Sequence, residues 1–180
     1  TNLGAGVDSL VGRDDLPEVP ITRLSDDGMV QLMTSYVLFS VIRYARDIPV
    51  FERAQRRGEW HYVHPRALSD IRVGMLGLGE LGAPAAKALA GLGFDVHGWS
   101  RNAKSIDGVT CSAGLETLDA FLAATEILVI LLPLTPDTRG LLDARRLSLL
   151  PKGAKLINAS RGAVTDEAAL LAALQSGQIA

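Results

Sequence analysis

What this sequence has little of narrows the possibilities first. Cys111 is the only cysteine among 180 residues, so no disulfide can form within the chain, and a reducing compartment is the expected setting. Apolar runs are short. The one at 127–132 falls far below the roughly 20 residues that span a bilayer. The first residues offer neither a basic start nor an apolar signal core. Cytoplasm is therefore expected, with no membrane partner. Lys and Arg number 18 against 20 Asp and Glu, a net charge of -2. They lie scattered, with no basic block interleaved with aromatics, which argues against nucleic acid as a partner. Aromatics supply only 5% of residues while 48% are hydrophobic, so Leu, Val, Ile and Ala must build the core. That composition suits parallel strands covered by helices on both faces. The length fits one domain of ordinary size with room for an appendage.

There is no repeat and no low-complexity segment. The first twenty residues carry Gly, Asp and Pro without periodicity and read as loop. Asp26 or Asp27 can cap a helix running from about Met29. Its apolar residues surround most of the helix, which predicts burial on more than one side, between domains or across a dimer interface. Pro49 should end or kink it, and a short charged helix should then run to Gly58. From Ile71 the grammar becomes alternating strands (71–76, 95–100, 127–132, 154–158) and helices (81–92, 115–123, 143–149, 166–175). Such units predict an α/β fold, a doubly wound parallel sheet with right-handed crossovers.

The most informative short stretch is IRVGMLGLGELG. Gly77, Gly79 and Gly82 form G-x-G-x-x-G directly after an apolar strand and at the mouth of a helix. Gly77 permits a tight turn, Gly79 lets a pyrophosphate approach the backbone, and Gly82 lets helix and strand pack closely. The amides near Glu80, Leu81 and Gly82 would face the diphosphate, helped by the helix dipole. Pro84 belongs in the first turn, and Leu81, Ala85, Ala88, Leu89 and Leu92 form an apolar stripe for the sheet. A nicotinamide dinucleotide is the expected cofactor. The second strand ends at Ser100 and Arg101, with Lys104 nearby, where an NAD enzyme normally carries an acid for the ribose 2′-hydroxyl. A guanidinium there can hold a 2′-phosphate in a forked arrangement, so NADP is favoured over NAD. The alternative for Arg101 is a solvated loop residue.

Five segments together resemble the D-isomer-specific 2-hydroxyacid dehydrogenases, most nearly the glyoxylate/hydroxypyruvate reductases. They are NLGAGVD at 2–8, MTSYVLFSVIRYARD at 33–47, GLGELG at 77–82, LLPLTPDTRGLLD at 131–143 and INASRGAVTDEAAL at 157–170. The resemblance implies a Rossmann domain over 59–180 lacking its last strand, a long interdomain or dimerisation helix within 28–58, and a remnant of the substrate domain over 1–27. It implies that the amides of Ala5 and Gly6 hold a substrate carboxylate. It places Leu132, Pro133 and Thr138 beside the cofactor, and Ala159, Ser160 and Arg161 beyond the strand that ends in INAS. Arg161 matches the family's catalytic arginine, whose fork can hold the carboxylate and polarise the 2-oxo group.

The family's proton donor, a histidine oriented by a glutamate, lies after the next strand and is not among these residues. His61, His64 and His97 do not occupy its position. The expectation is thus an NAD(P)H-dependent reductase of a small 2-oxo acid, with its long apolar helix pointing to a homodimer, represented by an interior portion with little turnover of its own. The competing expectation is a non-catalytic dinucleotide-binding or dimerisation module. No metal site is expected.

Overall fold

The computed structural model describes residues 6, 10, 13–16, 18, 20, 22 and 26–180. Ala5 lies outside the described residues. Five parallel strands form one sheet: β1 (Arg72–Leu76), β2 (Asp95–Ser100), β3 (Thr110–Ala113), β4 (Ile127–Ile130) and β5 (Lys155–Asn158), in the order β3-β2-β1-β4-β5. Helices α1 (Asp27–Ala45) and α3 (Gly82–Gly91) cover one face together. Helices α4 (Leu115–Ala123), α5 (Ala144–Leu149) and α6 (Glu167–Gln175) cover the other. This is the expected doubly wound α/β architecture.

The period of two along a buried strand builds both cores at once. In β4, Ile127 and Val129 join Val73, Met75 and Leu89 on the α1–α3 side. Leu128 and Ile130 join Leu118, Leu122 and Leu147 on the α4–α6 side. Asp26, Asp143 and Asp166 cap α1, α5 and α6, each carboxylate accepting from a backbone N–H three residues on, which satisfies an otherwise orphaned donor.

Several expectations need correction. The first helix stops at Ala45 rather than at Pro49, because Asp47 adopts a left-handed φ of 55° and starts α2 (Ile48–Arg56), with Pro49 in its first turn. A proline is at home there, since first-turn N–H groups have no partner anyway. Within this single chain α1 buries one of its apolar sides, through Val37, Ser40, Val41 and Ala45, and leaves Leu32, Tyr36 and Phe39 on another side exposed by 75%, 53% and 63%. Leu92 is also exposed, and the buried stripe of α3 is Gly82, Ala85, Ala86 and Leu89. Strand β3 was not anticipated, and β4 ends two residues early. Just ahead of the outer strand β5, Ala154 pairs with Ile179 in a parallel bridge. Among the described residues no helix is long and apolar enough to cross a membrane, and no cluster of His, Cys, Asp or Glu could hold a metal ion.

Candidate functional site

Four loops leave the carboxyl ends of β1, β2, β4 and β5, the edge where parallel α/β sheets bind ligands. The first is the glycine turn after β1. Gly77 has a φ of 113°, and a Cβ on it would meet the Leu131 carbonyl group at 2.8 Å. Its N–H donates to the Trp99 carbonyl oxygen, tying the turn to β2. A Cβ on Gly82 would run into the Gly77 carbonyl oxygen, so helix and turn pack with no room for a side chain. Gly79 is the reverse case: it is exposed, and a Cβ there would meet nothing within 4 Å. No side chain caps the N-terminus of α3. An uncapped helix start beside open space is a fitting place for a diphosphate, because first-turn amides and the helix dipole both favour an anion. Leu81 precedes the helix as its cap residue, and Glu80 is exposed beside it.

The second loop follows β2. Ser100 is buried and its hydroxyl donates to the Asn102 carbonyl oxygen at 2.7 Å, so it braces the loop backbone. Arg101 is exposed, and its guanidinium stands 4.0 Å from the Asp137 carboxylate of the third loop. Trp99 donates from its indole N–H to the Gly114 carbonyl oxygen at 2.9 Å, fixing the end of β2 against the start of α4.

The third loop follows β4 and is organised by Thr138. Its hydroxyl donates to the Pro133 carbonyl oxygen at 2.7 Å and accepts from the Thr135 N–H at 2.8 Å. Leu132 is buried in the core with Leu76 and Trp99, while Pro133 is exposed. The sequence had suggested Thr138 as a hydroxyl for a ligand; its first employment is to hold this turn.

The fourth loop follows β5. The Ala159 N–H donates to the Ile130 carbonyl oxygen, aligning the loop with β4. Asn158 then staples the turn: its side-chain N–H donates to the Arg161 carbonyl oxygen at 2.9 Å, and its Oδ1 accepts from the Ser160 N–H and hydroxyl at 3.0 and 2.9 Å. Arg161 is exposed and begins a 3-10 turn, Gly162–Val164. Asn158 is the positioning residue that sequence reasoning passed over. Its signal was available, since an Asn two residues before a Ser favours a side-chain-closed turn.

Of the anticipated site residues, Gly77, Gly79, Glu80, Leu81, Gly82, Ser100, Arg101, Leu132, Pro133, Thr138, Ala159, Ser160 and Arg161 all fall in or beside these loops. Gly6 is described and half-buried, but its neighbour Ala5 is not described, so the carboxylate nest stays an expectation. The histidines lie elsewhere. His97 sits within β2 with its Nε2 3.1 Å from Asp95 at the strand's start. His61 and His64 precede β1, in a segment whose Arg66 pairs with Glu126 just ahead of β4.

Residues 38–180 match the profile of the D-isomer specific 2-hydroxyacid dehydrogenase, NAD binding domain. A glyoxylate/hydroxypyruvate reductase A from Serratia proteamaculans is 42% identical over 99% of the chain and 59% of its own length. The chain thus spans well under two thirds of that curated relative. A crystal structure of a D-isomer specific 2-hydroxyacid dehydrogenase from Xanthobacter autotrophicus Py2, in complex with NADPH and MES, superposes with a TM-score of 0.95 at 66% identity, covering 97% of this chain and 72% of that one. An NADPH-dependent glyoxylate/hydroxypyruvate reductase from Sinorhizobium meliloti, in complex with NADP and sulfate, gives 0.92 at 38% identity, covering 98% and 57%.

Proposed function

Because the chain belongs to the D-isomer specific 2-hydroxyacid dehydrogenase family, we propose that it binds NADPH in preference to NADH and takes part in reducing a small 2-oxo acid of the glyoxylate or hydroxypyruvate type. The observation that carries this reading is the convergence of four loops at one edge of the sheet: an uncapped helix start facing open space at Gly79, a cation at Arg101, the Thr138 turn and Arg161. The Xanthobacter structure holds NADPH, the Serratia relative is a glyoxylate/hydroxypyruvate reductase, and the Sinorhizobium enzyme is an NADPH-dependent one, which supports the same choice here. Arg101 is exposed, its guanidinium 4.0 Å from the Asp137 carboxylate, and a 2′-phosphate would meet that guanidinium there.

A nicotinamide dinucleotide, when bound, supplies the hydride. The loops of Gly77–Gly82 would hold its diphosphate, Arg101 its 2′-phosphate, and the Leu132–Thr138 turn and Ala159–Ser160 its nicotinamide half. Arg161 would anchor the substrate carboxylate and stabilise the charge that develops on the 2-oxo oxygen as the adjacent carbon is reduced. The Ala5–Gly6 turn would offer further N–H groups to that carboxylate. The oxygen must also gain a proton. His97 is engaged by Asp95 toward the amino end of β2, and His61 and His64 lie in the segment before β1, so the donor belongs to residues other than these. On this reading residues 59–180 form the nucleotide domain, 28–58 carry the interdomain helices, and 1–27 belong to the substrate domain.

The protein is further proposed to be a cytoplasmic homodimer. Leu32, Tyr36 and Phe39 recur at the spacing of one helix face and stay exposed on α1, an unburied apolar stripe of the kind that marks an interface.

The test is oxidation of NADPH on addition of glyoxylate or hydroxypyruvate, measured on the protein as the cell makes it. Turnover that Arg161→Ala reduces by about 100-fold or more, the scale of losing a charge-stabilising group, supports the proposal. Turnover with neither acid, or turnover indifferent to Arg161, contradicts it.

A further inference from the structure

Away from the nucleotide edge, the amino ends of β4 and β5 border a cavity of about 210 Å³, far above the roughly 10–15 Å³ that one water requires. Its wall runs from Tyr44 and Asp47, at the junction of α1 and α2, through Arg66 and Glu126 to Lys152 and Lys155. Glu126 is committed: it accepts from the Arg66 guanidinium at 2.7 Å and from the Arg72 N–H at 3.2 Å. Lys155, the first residue of β5, is half-buried; its backbone N–H donates to the Glu126 carbonyl oxygen at 2.9 Å, while its ammonium makes no hydrogen bond or ion pair with any described residue. Burial and the nearby Arg53 guanidinium push its ammonium below the usual lysine range, with Asp47 acting weakly in the opposite direction. The Tyr44 hydroxyl also lacks a partner among the described residues.

An ammonium that loses water without gaining a partner is unfavourable. Here it faces a hollow in which Arg66, Lys152 and Lys155 outnumber Asp47 and Glu126, and Arg53 adds to the excess. A small anion would offset the desolvation and occupy both unpartnered donors.

We propose that this cavity binds a tetrahedral oxyanion of the phosphate class, with Lys155 and the Tyr44 hydroxyl as its donors. The site is separate from the loops that receive the cofactor, so it neither uses Arg101 nor competes with a substrate at Arg161. Because Tyr44 and Asp47 flank the break between α1 and α2, an occupant ties that junction to β5.

Isothermal titration of the full chain with inorganic phosphate, at ionic strength held constant with chloride and with NADPH both absent and saturating, tests this directly. Saturable phosphate binding should persist with NADPH bound. It should weaken by about tenfold or more in Lys155→Met, as expected for losing a charge-assisted hydrogen bond, and by a smaller factor in Tyr44→Phe. Lys155→Arg, which keeps the charge, should bind within a few-fold of the parent. NADPH affinity should be unchanged in all three variants, which also shows that they are folded. The proposal is overturned if saturating NADPH abolishes phosphate binding, if Lys155→Met binds as the parent does, or if no saturable binding occurs.

Discussion

Asn158 holds the turn that presents Arg161, donating from its side-chain amide to the Arg161 carbonyl oxygen at 2.9 Å while accepting twice from Ser160. Three hydrogen bonds from one side chain fix where the guanidinium begins. Asn158→Ala should cost about 1–2 kcal/mol of stability, the scale of losing partly exposed hydrogen bonds, as read from urea unfolding. It should also lower Arg161-dependent turnover while leaving NADPH affinity within a few-fold. An unchanged kcat/KM would show that the turn holds its shape without Asn158.

The two glycines flanking the α3 start should respond oppositely to one added methyl group. In Gly82→Ala the Cβ meets the Gly77 carbonyl oxygen, so the fold itself should lose about 1–3 kcal/mol, the usual cost of overpacking. In Gly79→Ala the Cβ meets only open space. Its melting temperature should hold, and cofactor affinity should fall, because the methyl occupies the approach of the diphosphate. A Gly79→Ala variant that binds NADPH as the parent does would remove the diphosphate from this position.

Exposure of Leu32, Tyr36 and Phe39 on α1 makes a separate prediction. If the stripe is a dimer interface, Tyr36→Asp places a charge at its centre and should yield monomers in sedimentation velocity without lowering helix content. A parent protein that sediments as a monomer at all concentrations contradicts the interface.

Glu126 joins Arg66 to the start of β1, and the Arg66 guanidinium is the main reason its carboxyl is held below the usual glutamate range, burial opposing it. A carboxyl with a lowered folded-state value contributes stability above the ordinary range near pH 4.3 and loses that contribution as the pH falls through the folded-state value. Stability should therefore decline on acidification from pH 6 toward pH 3, with a shallower decline in Glu126→Gln. Parallel declines in the two proteins would show that other carboxyls dominate.

Much of this architecture was legible in the sequence because apolar periodicity and glycine placement report directly on packing. Strand β2 and helix α4 match their expected bounds, and Asp143 and Asp166 act as caps where a helix start was read. Strand β3 was missed because Thr-Cys-Ser-Ala carries neither a bulky β-branched run nor a clear alternation, as suits an edge strand that packs little. The break after Ala45 was placed too late because Pro49 is the louder signal, whereas the turn depends on the backbone of Asp47. The apolar girdle of α1 was legible as a girdle, but not which of its faces the same chain would bury. The placement of the glycine turn after β1 and of Arg161 after β5 was legible; the work of Asn158 and Thr138 depends on loop hydrogen bonds that spacing alone does not reveal.

The central claim is a cofactor site at the carboxyl edge of the sheet, with Arg101 selecting the phosphorylated dinucleotide. The most direct measurement is a fluorescence titration of the purified chain with NADPH and with NADH, repeated for Arg101→Ala. The account predicts saturable binding that favours NADPH, and a preference that shrinks by about tenfold in Arg101→Ala, the scale of one charge-assisted contact to phosphate. Equal affinity for both cofactors, unchanged by the substitution, would contradict it.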